Sequence, residues 1–200
     1  MKLLMHVCCA PCAIESIAAL REEGIEPALF WFNPNIHPYV EYRLRRDALK
    51  DYAASAGTTL YMEDEYGLRA FTRAVSPDFT FGERCRICYA MRMERTAAFA
   101  AEHGFDTITT TLLYSPYQDR DDILRIGDAA AKSHGVSFLP CDFRDRFRAG
   151  QEKAHAMEMY VQKYCGCIFS EEERFSSKAR KALLREQKAK RERDAMVKPE

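Results

Sequence analysis

Five short runs rich in apolar or β-branched residues recur along this chain, at 1–7, 28–32, 58–62, 107–112 and 136–139. Helical periodicity fills the intervals, at 13–23, 39–56, 68–75, 87–103 and 120–134. Gly24, Gly57, Gly104 and Gly135 each stand where such a stretch must stop. Regular strand–helix alternation points to a parallel sheet covered on both faces. With right-handed crossovers the expectation is an open, mostly parallel, five-stranded, doubly wound α/β sheet. If the strand order reverses between the first and fourth strands, their carboxyl ends border the crevice where such sheets bind ligands. A further helix is expected over 151–164. After it comes a charged helical segment with few apolar residues, so the organisation expected is an α/β body over 1–170 and a tail over 171–200.

The first strand runs into an unusual turn. His6-Val7-Cys8-Cys9-Ala10-Pro11-Cys12 places three thiols within five residues. Cys8 and Cys9 would face opposite ways in a regular strand, so they share a centre only if the chain turns, as Pro11 encourages. Cys85-Arg86-Ile87-Cys88 supplies a second pair, after a loop expected over 76–84. Cys8, Cys9, Cys85 and Cys88 read as ligands closing around one metal centre, rather than as four small buried hydrophobes. Spacing alone does not separate a four-thiolate zinc from a [4Fe–4S] cluster. Cys12 reads either as a further metal ligand or as a structural thiol in the first helical turn.

Cys165-Gly166-Cys167 is a thiol pair of another kind. A disulfide across it would be strained, and strained disulfides are oxidising and labile, which suits a redox dithiol. Lys163 and Arg174 lie near enough in sequence to favour the thiolates. Cys141 reads as a packing thiol and His6 as a satisfied core histidine.

Thirty lysines and arginines balance thirty acids among 200 residues, so net charge alone names no partner. The distribution does: ten basic residues face three acids between 174 and 198, against twenty and twenty-seven elsewhere. A basic tail of this kind reads as a solvated face or as an RNA contact, and Arg43, Arg45 and Arg46 read the same two ways. The N-terminus carries no apolar run fit for a signal peptide or membrane span, so a cytoplasmic protein is expected. Eight cysteines in a reducing compartment then point to metal or redox chemistry. Tyr114, Ser115, Tyr117, Gln118 and Asp119 form a polar, aromatic loop at the expected crevice, where tyrosines stack on bases or donate protons as readily as they cap turns.

Taken in order, His6 to Cys12, Asn33-Pro34-Asn35-Ile36, Glu41-Tyr42-Arg43, Arg84-Cys85-Arg86-Ile87-Cys88-Tyr89, Thr109-Thr110-Thr111-Leu112-Leu113-Tyr114-Ser115-Pro116-Tyr117 and Tyr164-Cys165-Gly166-Cys167-Ile168-Phe169-Ser170 resemble the epoxyqueuosine reductase family QueH. The resemblance spans 6–170 and leaves the tail outside. It implies a HUP-type α/β sandwich that reduces the epoxide of epoxyqueuosine at the tRNA wobble position, without cobalamin. It places a [4Fe–4S] cluster on Cys8, Cys9, Cys85 and Cys88, with an adjacent mononuclear iron for which Cys12 is suitably placed. It makes Cys165 and Cys167 a redox-active pair. The glycine-rich pyrophosphatase loop of ATP-using HUP enzymes is missing after the first strand, so ATP use is not expected.

Deoxygenating an epoxide to an alkene takes two electrons and two protons and releases water, and no side chain supplies such electrons at low potential. The expected partners are epoxyqueuosine-containing tRNA and an unidentified electron donor, with Tyr114 or Tyr117 as proton donor. The competing expectation is a zinc-stabilised tRNA-binding module without redox chemistry. A simple thiol–disulfide oxidoreductase leaves the other clustered thiols unexplained.

Overall fold

The computed structural model describes residues 1–76 and 78–197. Pro77, placed in a loop by sequence, and Lys198, the last cation of the tail, lie outside the described residues. The strands are β1 (Leu3–His6), β2 (Ala28–Trp31), β3 (Leu60–Met62), β4 (Thr107–Thr110) and β5 (Ser137–Phe138). They form one parallel sheet in the order β3-β2-β1-β4-β5. The chain winds outward from β1 through β3, then returns to place β4 on the other side of β1. The reversal expected between the first and fourth strands is therefore present.

The main helices are α1 (Ala10–Glu22), α2 (Tyr39–Ser55), α3 (Leu68–Val75), α4 (Glu83–Glu102) and α5 (Arg120–Ser133). Three more complete the chain: α6 (Phe147–Ala156), α7 (Ile168–Phe175) and α8 (Ser177–Val197). α1 packs with α2 and α6, and α4 packs with α3, α5 and the central strands. Right-handed crossovers put these two groups on opposite faces. The result is a three-layer α/β sandwich.

β1 and β4 are buried along their whole length. β1 meets this with apolar side chains and one histidine, while β4 carries Thr107, Ile108, Thr109 and Thr110. The threonine hydroxyls are satisfied rather than orphaned: Thr109 donates to the Leu139 carbonyl (2.9 Å), and Thr110 pairs with His6 Nδ1 (2.9 Å). His6 Nε2 meets the Phe32 carbonyl (3.2 Å), and burial lowers the imidazole pKa to about 3. His6 is the neutral core histidine that sequence suggested.

Of the boundaries that differ from the sequence reading, three bear on the site. α4 begins at Glu83 and not at 87, so Cys85 lies inside its first turn; Gly82, at φ 97°, is the residue that turns the chain into the helix. The fourth strand gives way to a 3₁₀ turn at Thr111–Tyr114, so Tyr114 is not in the loop. The helix expected over 151–164 occupies Phe147–Ala156, because Glu158 takes φ 54° and the segment beyond it is held by contacts elsewhere.

The Asn33–His37 loop, which comes directly after β2, packs against the start of α3 with no room to spare. A Cβ on Gly67 would lie 2.5 Å from Pro34 Cα and 2.9 Å from its carbonyl oxygen. Backbone cannot retreat as a side-chain tip can. Gly67→Ala is expected to cost about 1–3 kcal/mol, read as a fall in Tm of roughly 2–12 °C by calorimetry.

Candidate metal centre and adjoining cavity

The β1–α1 junction builds the first thiol group. Cys9 is the N-cap of α1 in extended conformation, and Pro11 occupies the first turn, where its missing N–H costs nothing. Cys12 is then the third helical residue. N-cap and third residue face each other in the capping-box arrangement, and here Cys9 Sγ lies 2.9 Å from Cys12 Sγ. Cys8 Sγ is 3.7 Å from Cys9 Sγ and accepts from the Thr111 hydroxyl (3.4 Å). All three sulfurs lie within 4.8 Å of one another, and no other such trio of His, Cys, Asp or Glu occurs among the described residues. A tetrahedral thiolate site with metal–sulfur bonds near 2.3 Å needs sulfur–sulfur edges of about 3.8 Å. The Cys8–Cys9 separation matches that edge, the Cys9–Cys12 separation is shorter than it, and the three sulfurs lie close enough together to share one metal. Hydrogen bonds from Cys12 and Cys9 hold the Cys8 thiol well below its ordinary pKa. Burial raises that of Cys9, and the contact with Cys8 raises that of Cys12.

Cys85 and Cys88 sit three residues apart on one face of α4. Cys88 is buried with Phe71, Val75 and Cys167. Burial, then the neighbouring Cys165, pushes the Cys85 thiol up to about 11; burial raises Cys88 too, against the pull of Arg92. Cys165 is exposed to a cavity, yet enough protein surrounds its sulfur to raise its pKa, with Cys167 the next cause. The cations that act most strongly on Cys165 are Arg92 and Arg45, which come from distant helices. Cys85, Cys88, Cys165 and Cys167 thus form a second thiol group outside the 8/9/12 trio. All eight cysteines are free thiols, so Cys165 and Cys167 form no disulfide here. Cys141 is half-buried against the core.

Two buried guanidinium groups bracket these sulfurs. Arg45, on α2, feels the fields of Cys9, Glu41 and Cys8; Arg92, one turn beyond Cys88 on α4, feels those of Cys88, Cys165 and Cys8. Arg92 is 2 % exposed; its Nε donates to the Cys88 carbonyl (3.2 Å), while its Nη2 has no hydrogen-bond partner among the described residues. A buried cation left under-bonded beside thiols from three separate segments suits an anionic centre between them. In sequence, nothing distinguishes Arg92 beyond its position four residues after Cys88.

Arg45 overturns a sequence reading. It is not part of a phosphate-binding face with Arg43 and Arg46. Its Nε donates to Glu41 (2.7 Å), its Nη1 to the Cys165 carbonyl and its Nη2 to the Tyr164 carbonyl (2.9 Å each). Arg46 is paired with Asp47 and Asp64, leaving Arg43 alone exposed. The Asn33–His37 loop completes the tether: His37 N–H donates to the Gly166 carbonyl (2.8 Å), and the Tyr164 hydroxyl donates to the His37 carbonyl. Asn33 Nδ2 reaches back to the Val7 carbonyl (2.9 Å), linking this loop to the first thiol group.

The cavity beside Cys165 measures about 600 Å³, a size that takes a small organic ligand. Cys85, Cys165, Cys167, Tyr89, Tyr117 and Gln118 line it. Gln118 Nε2 donates to Cys165 Sγ (3.4 Å), and the Tyr89 hydroxyl donates to Gln118 Oε1 (2.9 Å). Tyr117 is 79 % exposed at this cavity, whereas Tyr114 is fully buried and its hydroxyl donates to the Phe147 carbonyl (2.8 Å). Sequence reasoning misses Tyr89 as a site residue, although it directly follows Cys88.

Residues 3–173 match the family model described as Epoxyqueuosine reductase QueH. The chain belongs to the QueH family. Among proteins bearing that name, it is 38 % identical to one from Dehalococcoides mccartyi over 87 % of this chain and 94 % of the relative. One from Haemophilus influenzae is 34 % identical over 84 % of this chain and 71 % of its own length, and one from Thermotoga maritima is 35 % identical over 84 % and 89 %. α8 lies beyond the QueH match. No helix among the described residues is long and apolar enough to cross a membrane.

Arg45→Leu leaves Glu41 buried without its cation. The expected cost is about 3–5 kcal/mol, a Tm loss of roughly 6–20 °C. Glu41→Leu/Arg45→Leu is expected to recover part of that loss in the same thermal scan, since removing both charges is cheaper than stranding one.

Proposed function

We propose that this chain is an epoxyqueuosine reductase acting on the wobble position of tRNA, in the last step of queuosine formation, without cobalamin. The substrate epoxide gains two electrons and two protons and leaves as an alkene and water. The observation that carries this reading is the gathering of thiols from three distant segments around the under-bonded Arg92 cation, in a chain matching QueH over 3–173. Cys8, Cys9, Cys85 and Cys88 would hold a [4Fe–4S] cluster, and Cys12 would add a ligand for an adjacent iron. Bound there, such a centre supplies low-potential electrons and a Lewis acid, neither of which a side chain provides.

The remaining work belongs to the chain's own residues. The cavity admits the modified nucleoside to the Cys165 end of the thiol array. Cys165 and Cys167 act as a dithiol that relays reducing equivalents: an external reductant of low potential opens their disulfide to two thiols, and its closure hands two electrons and two protons on toward the epoxide. Gln118 orients the Cys165 sulfur, with Tyr89 behind it. Tyr117, facing the cavity, passes one of those two protons to the departing oxygen. Tyr114 serves this site from below, fixing the 3₁₀ turn against Phe147, whose ring also meets Tyr117 at 5.9 Å between centroids. A zinc-stabilised binding module would use Cys8, Cys9, Cys85 and Cys88 as a four-thiolate site and leave Cys165 and Cys167 without a task.

The direct test is anaerobic turnover of epoxyqueuosine-containing tRNA, with nucleosides read by mass spectrometry. Conversion to the species lacking one oxygen is expected, and its absence from an iron-loaded chain refutes the proposal. Cys85→Ser is expected to reduce iron and acid-labile sulfide well below the roughly four of each per chain that an intact cluster contains. Wild-type content in that variant would remove Cys85 from the ligand set. Tyr117→Phe is expected to slow turnover about 10²–10⁴-fold with metal content unchanged; full activity would exclude it as proton donor.

A further inference from the structure

The far wall of the cavity comes from a segment that the family match does not reach. Arg180, Leu183, Leu184, Gln187 and Arg191 of α8 line it, together with Arg174 of α7. Positions 180, 183, 184, 187 and 191 fall on one helical stripe, so α8 presents a single face to the cavity. Its order along the axis is cation, apolar pair, amide, cation. Leu184 is 56 % exposed. Arg174, Arg180 and Arg191 are exposed, and none has a carboxylate partner among the described residues. Neighbouring charges on the same helices do find partners: Glu186 accepts from the Phe81 N–H (3.2 Å), and Glu173 pairs with the buried Arg84 beneath. The first contact holds α8 and the second holds α7 over the start of α4, where Cys85 sits.

We propose that α8 is the tRNA-gripping wall of the site, with Arg174, Arg180 and Arg191 holding backbone phosphates on either side of the nucleotide that enters the cavity. The inference rests on the reading of the substrate as tRNA. Arg180 and Arg191 stand about 16 Å apart along the axis, a span that brackets one extruded nucleotide and its neighbours. Leu183 and Leu184, between them, offer an apolar platform to a base or ribose. Cationic ends around an apolar centre are the design by which proteins hold unpaired RNA with a base splayed out. The same stripe faces the thiols, so gripping the strand and presenting the nucleoside to Cys165 become one act.

The test uses the full chain with Arg180→Ala/Arg191→Ala, and Lys178→Ala/Arg185→Ala on the opposite face of α8 as the comparison. All four side chains are exposed, so folding is not at stake. Binding of epoxyqueuosine-containing tRNA is measured by fluorescence anisotropy across a salt series, beside KM and kcat. The cavity-face variant is expected to bind roughly tenfold more weakly at physiological salt, with the slope of log K against log salt shallower by about 1.4, since each single-strand phosphate contact contributes ~0.7. KM should rise with kcat and iron content unchanged, and the opposite-face variant should match wild type. Equal affinity and slope in the cavity-face variant, or an equal loss in both variants, overturns the proposal. A wild-type chain that binds the tRNA without reducing it refutes the reductase reading instead, and the binding comparison still decides the role of α8.

Discussion

Two buried arginines impose the constraint on which this structure turns. Moving a guanidinium out of water costs several kcal/mol even after the protein relaxes around it, and residues of similar bulk without charge would pack at lower cost. Arg45 is compensated in full view: a carboxylate and two carbonyl oxygens take its donors. Arg92 is not, for among the described residues one backbone carbonyl, the Tyr89 ring 5.9 Å away and the fields of nearby sulfurs are what it has. A fold that keeps an under-compensated cation at its centre is organised around negative charge supplied by something other than carboxylates. Thiolates bound to a metal meet that need, because ligation keeps them deprotonated at neutral pH.

The sheet order explains why sulfurs so distant in sequence share this cation. With β1 in the middle and β4 beside it, the carboxyl edge of the sheet collects the turn after β1, the turn after β4 and the first turns of α4. Thr111, just past β4, reaches Cys8 both as donor to its sulfur and as acceptor from its N–H. The chemistry therefore sits where the topology leaves a crevice, and the N-terminus of α1, which favours anionic groups, points into it. The 164–166 segment arrives from outside the sheet altogether. It stays because α2 and the Asn33–His37 loop hold its backbone, which gives the Glu41 and Asn33 motifs a positioning role.

Strand periodicity made the sheet legible from sequence, and α3 over 68–75 was readable from its own pattern. The switch point emerged once the strands were placed, and so did the concentration of thiols near it. What escaped was decided at long range. Arg45 looks like its neighbours Arg43 and Arg46 on a charged helix; only contact with the Tyr164 and Cys165 carbonyls, some 120 positions away, separates it from them. Gly82 reads as a loop residue by type, whereas its positive φ starts a helix. The segment after Ala156 keeps helix-compatible residues but gives up the helix, since Tyr160 and Tyr164 are drawn to Glu41 and His37. In each case tertiary tethering overrode local preference.

The thiols also form a gradient from core to solvent. Cys9 and Cys12 are buried in the sandwich, Cys8 and Cys85 are half-buried, and Cys165 is open to the cavity. Arg92 lies in the fields of Cys8, Cys88 and Cys165, one sulfur from each of three chain segments. A single cation so placed favours negative charge on sulfurs from all three segments. It also separates two requirements that conflict in a single site. The inner thiols are kept from solvent, as an oxidation-sensitive metal centre requires, while the outer one remains within reach of a substrate too large to enter the core.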